Sequence, residues 1–141
     1  MRKNIGIAAL FTWIGFVAAI SFMEAWLKFR APGVTLPIGL GIGRLVFAAL
    51  NKIEWILLLG IIFSLFPFKK IVKSVRITLI TACAILITQT IWLLPQLDAR
   101  AELYITGSPV MPSNLHLYYV VAEGIKMISL FFLGISLFRK H

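Results

Sequence analysis

The sequence has few charged residues for its length. They make up 13% of the 141 residues, whereas a soluble globular domain carries roughly 25%. Hydrophobic residues make up 60% of the chain, and the mean hydropathy is +0.97. This composition excludes an ordinary soluble globule, and the length is that of one domain. We therefore predict an integral membrane protein.

Cysteine and histidine are scarce, with one and two residues respectively. Because Cys83 is the only cysteine, the chain cannot form an internal disulfide or a cysteine-based metal knuckle. We interpret Cys83, which lies in an apolar run, as a buried and unreactive thiol. The sequence also lacks the Ser-His-Asp order and the His-Glu-x-x-His and Gly-x-Ser-x-Gly motifs. These absences argue against the common hydrolases.

Acidic residues are rare, and none lies near the clusters of basic residues. Five Asp and Glu stand against 14 Lys and Arg, which gives a net charge of +9. Eight of the basic residues fall in three clusters: Arg2-Lys3; Lys69, Lys70, Lys73 and Arg76; and Arg139-Lys140. The clusters alternate with apolar segments, as the positive-inside rule describes. They predict cytoplasmic termini and contact with the lipid bilayer, and no binding of nucleic acid.

Four apolar segments are long enough to cross a bilayer, which takes about 20 helical residues. They cover about 5–27, 45–66, 77–94 and 115–138. We predict an all-α fold with a single domain over 1–141. The protein would be a polytopic membrane protein in which four transmembrane helices form an antiparallel bundle. Its predicted location is a cytoplasmic (inner) membrane. Small residues on the first helix, and the little volume that four helices enclose, also predict a homo-oligomer.

Proline and glycine mark the predicted outer loops. The first loop covers 28–43 and contains Gly39-x-Gly41-x-Gly43, which lacks the Lys-Ser/Thr of a phosphate-binding loop. We interpret these glycines as a hinge or a close backbone contact. Pro37 could instead begin a second helix that starts early. The third span is predicted to stop at Pro95, and the second loop, 96–112, could contain a short surface helix.

Polar side chains interrupt the second apolar segment at Asn51-Lys52-Ile53-Glu54. Such groups are costly at membrane depth unless they serve a purpose. Arg44, Asn51 and Glu54 are spaced by seven and three residues and therefore share one helix face. Lys52 points elsewhere, and its flexible stem can extend toward the interface.

A second polar face is predicted on the fourth segment, where His116, Glu123 and Lys126 have the same spacing. Counting from the cytoplasmic helix ends places most of these groups in the outer half of the membrane. If the polar faces converge, they line a pocket that is open to the outside; alternatively, some face a partner subunit. The candidate binding residues are Glu54, Glu123, Lys126, Asn51, Glu24, His116, Gln89 and Arg44.

These residues favour the binding or transport of a small ion or solute. Because desolvation disfavours charge, Glu54 or Glu123 could accept a proton or a cation, with Lys126 as the counter-charge. The structural alternative is that the charges only pair and fix the register of the helices. Glu24 and His116 could join the carboxylates as metal ligands. The Glu-x-x-His pairs of di-metal helical bundles are absent, however, and we predict neither a metal nor a cofactor.

A membrane-embedded enzyme is a further alternative. His116, flanked by Tyr118 and Tyr119, could act as an acid or base on a lipid headgroup at the outer surface. A histidine at the interface beside tyrosines of the aromatic belt is the simpler interpretation.

Short motifs occur at several helix ends. Trp92-Leu93-Leu94-Pro95 closes the third segment, Leu115-His116 opens the fourth, and Ala31-Pro32 follows the first. Together with a second-helix start that contains Gly and Arg, they resemble the transmembrane protein 205-like family of four-helix membrane proteins. The resemblance implies an all-helical bundle and carries no activity over to this chain. The shorter outer loops and Lys126 depart from the family pattern.

Overall fold

The computed structural model describes residues 2–67 and 71–138, which form four long helical rods and no strand. The first rod, α1, begins as an α-helix at Arg2–Val17 and continues as a π-helix at Ala18–Glu24. It ends with one α-helical turn, Ala25–Leu27, and one 3-10 turn, Lys28–Arg30.

The remaining rods follow in the same order as the predicted spans. α2 is an uninterrupted α-helix, Leu36–Leu65. α3 consists of the α-helix Lys73–Thr88, a π-helical segment Gln89–Leu93 and the α-helix Leu94–Ile105. α4 is Leu115–Phe138. The all-α four-helix prediction is confirmed.

Neighbouring rods run antiparallel, with α1 packed chiefly on α2 and α3 on α4. Gly6 near the beginning of α1 lies against Ser64 near the end of α2. At the opposite end of the same pair, the Phe29 ring occupies the space beside Gly39. Any side chain at Gly39 would enter this ring, so the glycine permits the two helices to approach closely. The predicted close backbone contact is confirmed at this position.

The rods are longer than the predicted spans at the end of the bundle opposite the termini. α1 extends to Arg30 and α2 begins at Leu36, so the predicted loop over 28–43 is wrong and only 31–35 lies between them. Pro37 stands in the first turn of α2, where its missing N–H removes no helical hydrogen bond. The early-starting second helix is therefore the correct alternative.

The predicted helix end at Pro95 is also wrong, because α3 continues through this residue to Ile105. The π-helical segment Gln89–Leu93 changes the hydrogen-bond pattern just before the proline. Pro95 consequently stands in the first turn of a new α-helical segment, a position that tolerates the missing N–H.

Apolar side chains fill the half of the bundle near the termini and also cover its outside. Leu58, Ile61 and Leu133 are at most 1% exposed in the core. On the outside, Leu45 and Ile91 are 76% and 72% exposed. All four rods are long and apolar enough to span a membrane. The chain is therefore a multi-pass membrane protein whose apolar exterior is suited to lipid.

The predicted basic clusters are described only in part. Lys69, Lys70, Arg139 and Lys140 lie outside the described residues. Lys73 and Arg76 are exposed in the first turn of α3. Cytoplasmic termini therefore stay a prediction. Cys83 is only partly buried, where it packs on the apolar core, and the interpretation of a fully buried thiol is wrong in that respect.

Candidate functional site

Lys126 on α4 is the centre of a buried polar cluster. Its Nζ donates hydrogen bonds to Glu123 Oε1 and Gln89 Oε1, both at 2.7 Å, and to Glu54 Oε1. Lys126 is 0% exposed, and each of its three partners is 1% exposed. Since an ammonium has three N–H donors, all of its hydrogen-bonding capacity is used. The structure brings together these four residues of the predicted site.

Two more hydrogen bonds complete this cluster. Trp13 Nε1 donates to Glu54 Oε1 at 2.7 Å, and Gln89 Nε2 donates to Glu123 Oε1 at 2.6 Å. Trp13 belongs to α1, so each of the four rods supplies at least one member. We name these five residues, Trp13, Glu54, Gln89, Glu123 and Lys126, the charge cluster. Charged groups that are buried require hydrogen-bond partners of this kind.

The charges of the cluster do not balance. Two carboxyl groups face one ammonium, which leaves one excess negative charge when all three groups are ionised. Glu123 Oε2 is buried and accepts no hydrogen bond from any described residue. An uncompensated charge inside a membrane is unfavourable by several kcal/mol. The cluster can therefore hold one additional positive charge.

Two consecutive polar residues of the π-helical segment of α3 face different neighbours. Gln89 joins the charge cluster, whereas Thr90 faces α2 and accepts hydrogen bonds from Asn51 Nδ2 at 2.9 Å and Trp55 Nε1 at 3.0 Å. Short π-helical segments often occur at functional sites. The predicted site residue Asn51 thus bonds to α3 and not to the cluster.

A pocket of about 430 Å³ adjoins the cluster at the end of the bundle away from the termini. Phe29, Leu40, Phe47 and Leu94 are among the apolar residues that line it. Its polar and ionisable lining residues come from all four rods: Lys28, Arg44, Asn51, Lys52, Thr90, Asp98, His116 and Tyr119. A cavity of this size is within the range of small-molecule sites, roughly 300–1,000 Å³.

The prediction that Glu54, Glu123 and Lys126 line this pocket is wrong. No member of the charge cluster does so, because these charged groups are enclosed with their own partners. Tyr119 lines the pocket one helical turn before Glu123, and its ring packs edge to face on Phe47, with 5.4 Å between ring centroids. These rings form part of the wall nearest the charge cluster.

The other predicted site residues form separate pairs or none. Arg44 makes a bidentate ion pair with Asp98, with distances of 2.6 Å from Nε and 3.0 Å from Nη2, and also pairs with Glu102. Glu24 pairs with Lys28 at 3.2 Å, within α1. His116 is exposed at the beginning of α4 and lines the pocket. Arg44 and His116 therefore belong to the pocket and not to the cluster.

The four candidate metal ligands do not assemble. Glu54 and Glu123 share Lys126, Glu24 pairs elsewhere, and His116 lies at the pocket. Among the described residues, no group of three or more His, Cys, Asp or Glu is placed to hold a metal ion.

No known family model, curated protein or solved structure matches the chain. The resemblance to the transmembrane protein 205-like family consequently stays a prediction, and the geometry of the site alone supports a function.

Three site residues are not evident from the sequence. Trp13 offers one signal, because a tryptophan in the middle of an apolar span needs a partner for its indole N–H. Lys28 becomes a pocket residue only because α1 continues as a helix beyond the predicted end of the span. Tyr119 resembles an ordinary residue of the aromatic belt, and nothing in the sequence distinguishes it.

Proposed function

We propose that the protein is a small carrier or binding protein of the cytoplasmic membrane. Both termini lie in the cytoplasm, and the pocket receives a small ion or solute from outside. The charge cluster takes up and releases a proton during the cycle, with Lys126 as the fixed counter-charge. The observation that carries this proposal is the excess carboxylate in an enclosed cluster.

A single proton accounts for the composition of the cluster. One ammonium neutralises one carboxylate, and a proton neutralises the other. Either Glu54 or Glu123 can carry it, and Glu123 Oε2 is an oxygen of the cluster that accepts no hydrogen bond from a described residue. A purely structural ion pair would need only one of the two carboxylates.

The position of the cluster couples it to the pocket. Tyr119 lies one turn before Glu123 on α4, and Asn51 lies three residues before Glu54 on α2. A change of charge at either carboxylate is therefore felt by a residue of the pocket wall on the same helix. Occupancy of the pocket can in turn favour one protonation state of the cluster, as reciprocal linkage requires.

The proposal is tested by infrared spectroscopy of the purified protein in lipid. We expect the carbonyl band of one protonated carboxyl group per chain to appear and disappear with pH. Glu123→Gln preserves shape and leaves Glu54 paired with Lys126, so the titrating band should vanish while the helix content is retained. Glu102→Gln is the matched control, because Glu102 is exposed and lies outside the cluster.

Other outcomes would favour a structural role. If no carboxyl of the wild-type cluster titrates, or if Glu123→Gln and Glu54→Gln only aggregate, the charges serve to fix the helix register. The homo-oligomer predicted above belongs to the same proposal, and sedimentation in detergent measures it. A monomer would leave the proton site intact, since all cluster members come from one chain.

A further inference from the structure

We infer that the pocket binds an amphiphilic anion, a molecule with a phosphate or carboxylate head and an apolar body. This inference names the solute class of the carrier and therefore rests on the proposed function. It depends on the lining of the pocket, whereas the proton site depends on the charge cluster.

Positive charge predominates on the pocket lining. Lys28, Arg44 and Lys52 line the cavity together with one carboxylate, Asp98. Arg44 is bound to Asp98 through two nitrogens and also pairs with Glu102, which does not line the cavity, so its positive charge is fully compensated. Lys28 is paired with Glu24, which does not line the cavity, so Lys52 is the lining cation without an ion-pair partner among the described residues.

Lys28 is nearly buried at the cavity and has N–H donors available to bind an anion. Its side chain is only 10% exposed, and its Nζ lies 5.5 Å and 5.6 Å from the ring centroids of Phe29 and Phe47. Glu24 accepts one hydrogen bond, and no other described residue accepts one from Nζ. Two N–H donors of a nearly buried ammonium are therefore left for an acceptor such as a phosphate or carboxylate oxygen.

Gly43 provides the space that this ammonium occupies. A Cβ atom at position 43 would lie 3.1 Å from Lys28 Nζ. Because position 43 on α2 is a glycine, the ammonium group of Lys28 has room to reach the cavity. Lys52, about two and a half turns after Gly43 on α2, forms no ion pair with a described residue and adds attraction for an anion.

The other walls are suited to the apolar body. Phe29, Phe47, Leu40, Leu94 and Leu97 surround the polar positions of the cavity. A small inorganic anion would leave this apolar surface without contacts, whereas an uncharged hydrocarbon would leave Lys52 and the two remaining N–H donors of Lys28 without an acceptor. A molecule with both parts satisfies the whole lining.

The test is calorimetric titration of the full-length protein in phosphatidylcholine nanodiscs. Octyl phosphate should bind, whereas octyltrimethylammonium, with the same tail and opposite charge, and inorganic phosphate, the head alone, should not. Lysophosphatidate supplied within the nanodisc tests a lipid as the source of the same chemistry. Stronger binding from the bilayer would identify a lipid headgroup, and stronger binding from water a soluble organic anion.

Two variants assign the binding to Lys28. The double variant Glu24→Gln/Lys28→Gln removes the ion pair without changing the net charge. It should weaken octyl phosphate binding by about tenfold, which is the loss expected for a charge-assisted hydrogen bond. Gly43→Ala keeps every charge and should weaken it through displacement of the ammonium. Lys73→Gln, at the opposite end of the bundle, is the control and should have no effect.

Equal binding of the anion and the cation by the wild-type protein would overturn the inference, and this measurement needs no variant. Unchanged affinity in both pocket variants would overturn it as well. If the infrared titration of the cluster persists in such a case, the proton site stands and only the solute class is wrong. If the anion binds but no carboxyl group of the cluster titrates, the solute class is right and the proton site is wrong.

Discussion

Lys126 donates hydrogen bonds to residues on three helices, so its replacement changes the contacts between those helices. Lys126→Met leaves Glu54 and Glu123 buried without a counter-charge. Breaking one side of a buried ion pair typically destabilises a protein by about 3–5 kcal/mol. We expect a loss of this size in the free energy of unfolding, measured by denaturant titration in detergent micelles.

The matched control for this prediction removes all three charges together. Lys126→Met combined with Glu54→Gln and Glu123→Gln leaves no buried charge and should recover most of the stability. Failure of the triple variant to recover would show that the packing of the lysine stem, and not its charge, holds the bundle together.

At the scale of single residues, the sequence predicts the members of the cluster better than their surroundings. Glu123 and Lys126 share a helix face, as their spacing predicts, and both are buried in the bundle together with Glu54. The spacing does not reveal whether a buried charge faces a cavity or a partner. That depends on the donors that other helices supply: the indole N–H of Trp13 needs an acceptor, but the sequence does not say which one.

The helices differ in how much of their form can be predicted. Four apolar runs are enough to count the rods. The π-helical segments Ala18–Glu24 and Gln89–Leu93 have no distinct pattern of side chains, and their positions follow from packing. Proline misleads at one helix end, because Pro95 begins a helical segment and does not end the span. The early helix start at Pro37 and the close contact at Gly39 are among the sequence-based alternatives, but the density of proline and glycine favours a loop there.

Contact between α1 and α2 leads to a prediction about two glycines. Gly39→Ala drives a methyl group into the Phe29 ring and should destabilise the protein by about 1–3 kcal/mol, the usual effect of overpacking. Gly15→Ala is the matched control, because a Cβ there meets nothing within 4 Å. It should be neutral or stabilise by up to about 1 kcal/mol through helix propensity. Thermal unfolding of both variants in detergent compares them directly.

An equal loss in the two glycine variants would contradict this prediction. It would mean that chain flexibility, and not the space beside Phe29, accounts for glycine in these helices.

For the whole molecule, the orientation in the membrane is a prediction that thiol labelling can test. In a Cys83→Ala background, Lys52→Cys lies at the pocket and Lys73→Cys at the opposite end of the bundle. A membrane-impermeant thiol reagent added to intact cells should label Lys52→Cys only. Lys73→Cys should react after the cells are made permeable.

The reverse labelling pattern would place the pocket on the cytoplasmic side and reject an external solute. No labelling of Lys52→Cys under either condition would show that the pocket is closed to water in the membrane.

The single ammonium shared by several helices has a consequence for how the chain enters the bilayer. Helices inserted one at a time meet lipid before they meet each other. A lysine near the centre of a lone helix opposes insertion by roughly 2.5–3.5 kcal/mol, and a buried carboxylate also opposes it. Because the acceptors from Glu54 and Gln89 are made earlier in synthesis than Lys126, the fourth helix enters most favourably beside the three helices already made. Membrane insertion therefore follows an order: the buried carboxylate of the first three helices has no counter-charge until the fourth helix brings Lys126 beside it.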